Sequence, residues 1–347
     1  MTALPLAWGP PPARGRIRVT PEDFVVDELL GFAPDGAGAH LLLRVEKRGA
    51  NSGWVAAALA RAGQVATRDV GLSGHKDRNA VTRQYYSLPA SARAPAGGWA
   101  GFAGDGFRVL ETAPHGRKLR VGTHRANRFR ILIRELSGDA GAIVDRLRAI
   151  ERGGVPSYFG PQRFGRDEAN LRAARAWAVG GRPPRERATR GFALSAARSV
   201  MFNTLLARRV RDGTWNCLVA GDAAMLDGRR SFFTVTTLDE PLRARCLALD
   251  VHPSGPLHGR GEPPVTAAVA DAERECAAEE PDLARLLDAH GLRHERRSLR
   301  VAVRSLAWRL EPPTFELEFE LPRGAFATAV LHELLENAWD ADERGED

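Results

Sequence analysis

The sequence predicts an α+β chain in two modules, with strands at both ends and helices between them. Three observations predict it. Residues 315–321 read FELEFEL, and this unbroken alternation marks a strand with one face buried and one in water. Residues 153–165, GGVPSYFGPQRFG, form a Gly/Pro/aromatic interval of the kind found at junctions. Beyond that interval the patterning turns helical, at roughly 167–179, 195–211 and 267–289, with a Gly/Pro-rich interval at 253–264. If the late strand completes the sheet begun in the first 150 or so residues, the middle is an insertion. The expected division is 1–152 with 301–347 as one domain and 153–300 as the inserted one.

The elements follow in order. Residues 16–28, RIRVTPEDFVVDE, read as a strand, a Thr-Pro break and a second extended run, with Phe24 placed where the turn ends. Residues 40–45 form a short apolar strand, and Asn51 or Ser52 then caps a helix through Ala62. Residues 107–110, 119–121 and 129–133 read as strands, and Gly138 and Asp139 open a helix to about Arg152. At the far end residues 299–310 are extended, and a turn at 322–326 leads into a helix from about Ala327 to Trp339.

A chain of 347 residues exceeds the usual single-domain size. No apolar run approaches a membrane span, and the first twelve residues lack the charged start and apolar centre of a signal peptide. A cytoplasmic protein is expected. Cys217, Cys246 and Cys276 are widely spaced, the nine histidines do not cluster, and His332 and Glu333 lack the second His of a zinc-protease helix. No phosphate-cradling Gly-rich loop is present. Chemistry without metal or nucleotide cofactor is expected. The net charge of +7, carried almost wholly by arginine, points to a polyanionic partner, nucleic acid ahead of membrane. A solvated surface in an arginine-biased chain is the alternative.

Residues 71–89, GLSGHKDRNAVTRQYYSLP, read as strand, polar turn and strand, with His75, Lys76, Asp77 and Arg78 in the turn. One carboxylate among three basic side chains is favoured in its charged form and is a candidate nucleophile. A turn aspartate binding its own backbone is the competing reading. Lysine occurs only at Lys47, Lys76 and Lys118, so Lys76, beside Asp77, stands out as a cation that arginine has not replaced. Closely spaced cations from Arg108 to Arg134 suit a phosphate backbone. Asn127 and Phe129 flank Arg128 and share a face of an extended segment. A ring on a basic surface can stack an unpaired base, while core packing explains it equally.

These stretches together resemble the TruD family of tRNA pseudouridine synthases. The motifs are GHKDRNAVTRQYYSL around Asp77, GVPSYFGPQRFG at the junction and LPRGAFATAVLHEL near the end, supported by TPEDFVVDE and HGRKLRVGTHRANRFRILIRE. They run in the family's order from about Arg16 to Leu335. The resemblance implies a pseudouridine-synthase-like catalytic domain, with a mixed, largely antiparallel sheet flanked by helices, and an inserted, mostly helical α/β TRUD domain. It implies a cofactor-free, metal-free isomerase converting uridine 13 of transfer RNA to pseudouridine. A monomer is expected, though the residues themselves leave the oligomeric state open. Asp77 matches the family's catalytic aspartate. Phe24, Asn127, Phe129 and Phe326 match substrate-binding positions around it, Lys76 precedes the aspartate in the motif, and Arg18 falls where a basic partner is expected. His75 departs from the apolar or amide residue expected there and adds positive charge. A non-catalytic RNA-binding or remodelling protein of the same fold is the alternative.

Overall fold

The computed structural model describes residues 4–336 and 338. The chain opens with strands β1 (Ala13–Arg16), β2 (Phe24–Leu29) and β3 (His40–Arg48), then helix α1 (Ser52–Ala62). Strands β4 (Gly71–Leu72), β5 (Val81–Pro89), β6 (Ala103–Gly104), β7 (Phe107–His115) and β8 (Ala126–Gly138) follow. Helix α2 (Ala140–Gly153) leads to β9 (Val155–Pro156), α3 (Ala169–Ala178) and α4 (Arg187–Arg211). Next come β10 (Ala223–Leu226), β11 (Phe232–Thr234), α5 (Glu240–Leu247), β12 (Val251–Leu257), α6 (Ala267–Ala278) and α7 (Pro281–Ala289). The last described elements are β13 (Glu295–Ser298), β14 (Arg300–Val301), β15 (Arg304–Glu311), β16 (Thr314–Pro322) and α8 (Ala327–His332).

Strand β8 is the axis of the larger sheet, ordered β15-β16-β8-β2-β5-β3-β7-β6, with β1 added beside β8 and β4 beside β5. The late strand β16 pairs with β8 from Phe315↔Ile133 to Pro322↔Ala126. All pairings are antiparallel except β2 with β5. The alternation of β16 puts Phe315, Leu317, Phe319 and Leu321 into the core, with Ile131 and Ile133 of β8. Helix α2 starts where Asp139 accepts the Ala142 N–H at 2.7 Å. It covers that core with Ile143, Leu147 and Ile150, spaced for a single helical face. A second core lies under α1, where Val55 and Leu59 meet Leu43, Val45, Tyr86 and Leu88.

A third core gathers Tyr158, Phe159, Phe164, Leu171, Leu283 and Leu287 around helix α4. Beside it stands a four-stranded sheet ordered β11-β10-β12-β13. Between the large sheet and this region the chain passes twice, and the two passages pair as β9 with β14, Val155 against Val301. Gly154 makes that crossing with φ +74, and a β-carbon there would meet the Val301 carbonyl at 2.4 Å. Trp8 donates its indole N–H to the Gly154 carbonyl at 3.0 Å and sets its ring edge-on to Trp215 at 5.6 Å.

Four expectations are corrected. Residues 119–121 are not a strand: Leu119 is buried and the chain then turns, Gly122 adopting φ +82 and the Thr123 hydroxyl bonding Arg120. The Gly/Pro interval at 253–264 contains part of strand β12, central in its sheet despite Pro253 and Pro256. Proline there removes N–H donors but leaves carbonyls for pairing, and the Pro253 carbonyl accepts from Leu299 at 2.9 Å. The helix expected over 267–289 is two helices, because Pro281 starts a new one. The helix from Ala327 ends at His332, after which Glu336 N–H returns to the Ala13 carbonyl at 3.0 Å. Trp339 lies outside the described residues. Among those residues no helix is long and apolar enough to cross a membrane.

Candidate active site

Asp77 sits in the loop between β4 and β5, with its side chain 46% exposed. The loop is held from beneath by side chains that leave the carboxylate outward. Lys47 of β3, itself 1% exposed, sends its ammonium to the main-chain carbonyls of Asp77 at 2.6 Å and Lys76 at 3.2 Å. Burial pushes the Lys47 ammonium down to about 8, the Lys76 charge adding to that and the Asp77 charge opposing it. The Ser52 hydroxyl, at the start of α1, accepts the Lys76 N–H at 3.0 Å and donates to Gln84 at 2.6 Å. Gln84 in turn donates to the Gly74 carbonyl at 3.1 Å.

Lys76 points inward. Its ammonium lies 2.7 Å from the carboxylate of Glu28, and the two side chains are 7% and 0% exposed. The other Glu28 oxygen accepts the Tyr85 N–H at 3.1 Å. Lys76 and Asp77, adjacent in sequence, therefore face opposite ways, one cation locked into the sheet and one anion presented to solvent.

Arg18 reaches Asp77 from the break between β1 and β2, its guanidinium 3.1 Å from Oδ2. The break is built by the Thr-Pro-Glu-Asp run. Asp23 accepts the Thr20 N–H at 2.9 Å and takes a forked ion pair from Arg134 of β8 at 2.8–3.1 Å. Arg18 adopts φ +57 and lies 4.2 Å above the Phe24 ring. Phe24 stands edge-on to Phe129, and Phe129 stacks on Phe319 at 5.4 Å. Phe24 and Phe129 are buried, 1% and 6% exposed. A column of three rings thus supports the cation that meets the carboxylate, with stacking contacts of favourable geometry.

Alongside runs a cleft of about 980 Å³ between the two sheets' regions. Ser73, Gly74, His75, Val121, Gly122, His124 and Pro322 to Ala325 line it, together with Arg229, Arg230, Phe232 and Arg297. Asp77 is not in the lining itself; it follows the lining residue His75 by two positions. Phe326, next after Ala325, is 37% exposed and lies 6.0 Å from the Arg163 guanidinium. Asn127 is buried, its amide nitrogen 3.5 Å from His124 Nε2. Its Oδ1 and the Ser73 hydroxyl have no partner among the described residues. Burial and the Lys76 charge push the His124 imidazole down.

The structure brings Asp77, Arg18, Lys76 and Phe24 into direct contact or one contact apart, and sets Phe129 beneath them. Asn127 lies against His124 of the cleft lining, and Phe326 follows the lining residue Ala325 in sequence. The sequence reading missed Lys47, Glu28, Ser52 and Gln84. Lys47 carried a signal, the same scarcity of lysine that marked Lys76; Glu28, an ordinary strand carboxylate, carried none.

A family model for tRNA pseudouridine synthase D (TruD) matches residues 3–176 and 187–334. The chain is 42% identical over 334 residues to tRNA pseudouridine synthase D of Nitrosococcus oceani, covering 95% of this chain and 93% of that one. It is 44% identical to tRNA pseudouridine synthase D of Methylococcus capsulatus, covering 96% and 94%. A crystal structure of a TruD-type protein from Methanosarcina mazei shares the fold, with TM-score 0.67 at 19% identity over 93% of this chain and 94% of that one. The chain belongs to the family of tRNA pseudouridine synthase D.

Proposed function

We propose that this protein converts uridine to pseudouridine in transfer RNA, at uridine 13, with Asp77 as the nucleophile and no cofactor. The observation that carries the reading is the Arg18–Asp77 contact of 3.1 Å, on a loop clamped from below whose His75 lines a basic cleft. Arg18 holds Oδ2 and leaves the other oxygen to face a ribose. Two routes use that same carboxylate. It attacks C1′ as N1 leaves, or it removes the C2′ proton and so expels the base. In both, the freed uracil turns and C5 bonds to C1′, displacing the Asp77 carboxylate in the first route or with the proton returned to C2′ in the second; C5 then gives up its proton and N1 takes one up. Bonds are exchanged within one nucleotide and nothing is oxidised or reduced.

The other residues take roles that their positions support. Asn127 Oδ1 is an acceptor for the uracil N3–H, since a buried polar atom without a partner is satisfied when a ligand supplies one. Phe129 and Phe24 form the apolar floor that keeps a detached base from water, and Phe326 covers it from the rim. Lys76, locked on Glu28, fixes the loop on which Asp77 is carried. Extruding the base costs a few kcal/mol, offset in part by ring stacking of about 1–3 kcal/mol. The arginines of the cleft hold the RNA backbone, so affinity falls as salt rises. Residues 1–152 and 301–347 make the catalytic domain and 153–300 the insertion, a division supported by the two separate sheets. The protein acts as a cytoplasmic monomer.

The test uses wild-type protein and Asp77→Asn on unmodified transfer RNA transcripts, with pseudouridine mapped by carbodiimide labelling and primer extension. A stop at position 13 with wild type alone is expected, together with undiminished RNA binding by Asp77→Asn. Substantial product from Asp77→Asn would sink the nucleophile assignment. Binding without product from either protein would favour the remodelling reading.

A further inference from the structure

Two apolar side chains that line the cleft are left uncovered. Val121 is 81% exposed at the tip of the turn over residues 120–123. That turn is held firmly beside the Asp77 loop. The Gly122 N–H donates to the Ser73 carbonyl at 2.7 Å, the Arg120 N–H donates to the Thr123 hydroxyl at 3.0 Å, and Arg323 donates to the Gly122 carbonyl. Phe232, 43% exposed, begins β11. The β10–β11 hairpin carries Arg229 and Arg230 in its turn, and the first residue of that turn is anchored. Asp227 binds His252 at 2.9 Å and Arg304 of the large sheet at 2.6 Å. Both apolar tips are thus displayed by braced backbone, in a position where burial would be favourable.

The lining around them chooses the occupant. Arg163, Arg229, Arg230, Arg297 and Arg323 share the cleft, while its carboxylates, Asp227 and Glu295, are engaged by His252, Arg304 and Arg198. A polyanion with exposed flat apolar faces fits such a surface, and an unpaired stretch of RNA is that ligand. We propose that Val121 and Phe232 form an RNA-opening pair. Phe232 stacks on a base neighbouring the extruded uridine, and Val121 fills the space that the uridine leaves in the stack. The inference rests on the synthase reading above and extends it to the strand that flanks the target.

Phe232→Ala, Phe232→Leu and Phe232→Trp, with Val121→Ser, test it on a folded transfer RNA transcript and on a short oligonucleotide whose uridine is already unpaired. Phe232→Ala and Phe232→Leu are expected to lower kcat/KM on the transcript by about 5- to 150-fold, the range of one base–ring stack, while Phe232→Trp retains it. Val121→Ser is expected to slow the transcript and spare the oligonucleotide. A 2-aminopurine placed beside the target uridine reports the stack without turnover: wild type quenches it, Phe232→Ala does not. Equal activity of Phe232→Leu and wild type, equal effects of Val121→Ser on both RNAs, or unchanged quenching by Phe232→Ala would each overturn the pair. Absence of pseudouridine with wild type would refute the synthase reading instead, and the quenching would still decide the stack.

Discussion

Glu28→Gln removes the charge that faces Lys76 and leaves the rest of the side chain in place. The pair is 2.7 Å long and withdrawn from water, with exposures of 0% and 7%. The amide still offers an oxygen to the Tyr85 N–H, but its own N–H groups or a bare gap now confront an ammonium. Breaking a buried pair from one side costs about 3–5 kcal/mol, because an uncompensated charge remains. Lys76→Met strands the Glu28 carboxylate and is expected to cost a similar amount. Removing both, in Glu28→Gln/Lys76→Met, leaves no buried charge, and stability should return to within about 1–2 kcal/mol of wild type. The coupling in this cycle then amounts to several kcal/mol. Urea unfolding followed by circular dichroism measures all four proteins. Single variants that cost under about 1 kcal/mol, or a double variant equal to the sum of the singles, would refute the view that this pair fixes the Asp77 loop.

Two further outcomes are expected. Lys47 loses its proton near 8 in the folded protein against a usual value of 10.5. The unfolded chain therefore binds more protons between those values, and stability rises with pH across that window by up to about 3 kcal/mol. Lys47→Met should abolish the slope, as unfolding at pH 7.5 and 10 would show. Trp8→Ala cuts the contacts to Gly154 and Trp215 at the crossing between the sheets; a loss of about 2–4 kcal/mol in thermal or urea unfolding is expected for a half-buried indole. A loss below about 1 kcal/mol would mean that Trp8 does not brace the crossing.

Much of the frame was legible because period and punctuation are local. The faultless alternation of β16 placed the returning strand, and the Gly/Pro interval at 153–165 marked where α2 ends and the chain crosses through β9. The strand hidden among Pro253 and Pro256 was not legible, since proline ordinarily argues against a central strand. The site divides the same way. Lys76 was marked by composition, and Asp77 by its basic neighbours and the family motif. The Arg18–Asp77 contact depends on β2 lying between β8 and β5, a matter of sheet order that spacing does not encode. Phe129 illustrates a further limit. Alternation says which residues share a strand face, but not whether that face meets RNA or a neighbouring ring, and here Phe319 of β16 supplies the ring.

The pairing of β8 with β16 also has a consequence for how the protein is made. During synthesis β8 leaves the ribosome long before β16, and residues 139–313 must emerge before its partner arrives. Until then a long strand keeps an open edge, the feature through which nascent chains associate wrongly. The helices around α4 and their small sheet, whose contacts are nearer in sequence, can close first. Ala7 and Trp8 likewise wait for the Glu333 carboxylate that receives both of their N–H groups. Strand β16 and Glu333, both far along the chain, therefore shut that edge and fasten Ala7 and Trp8 late.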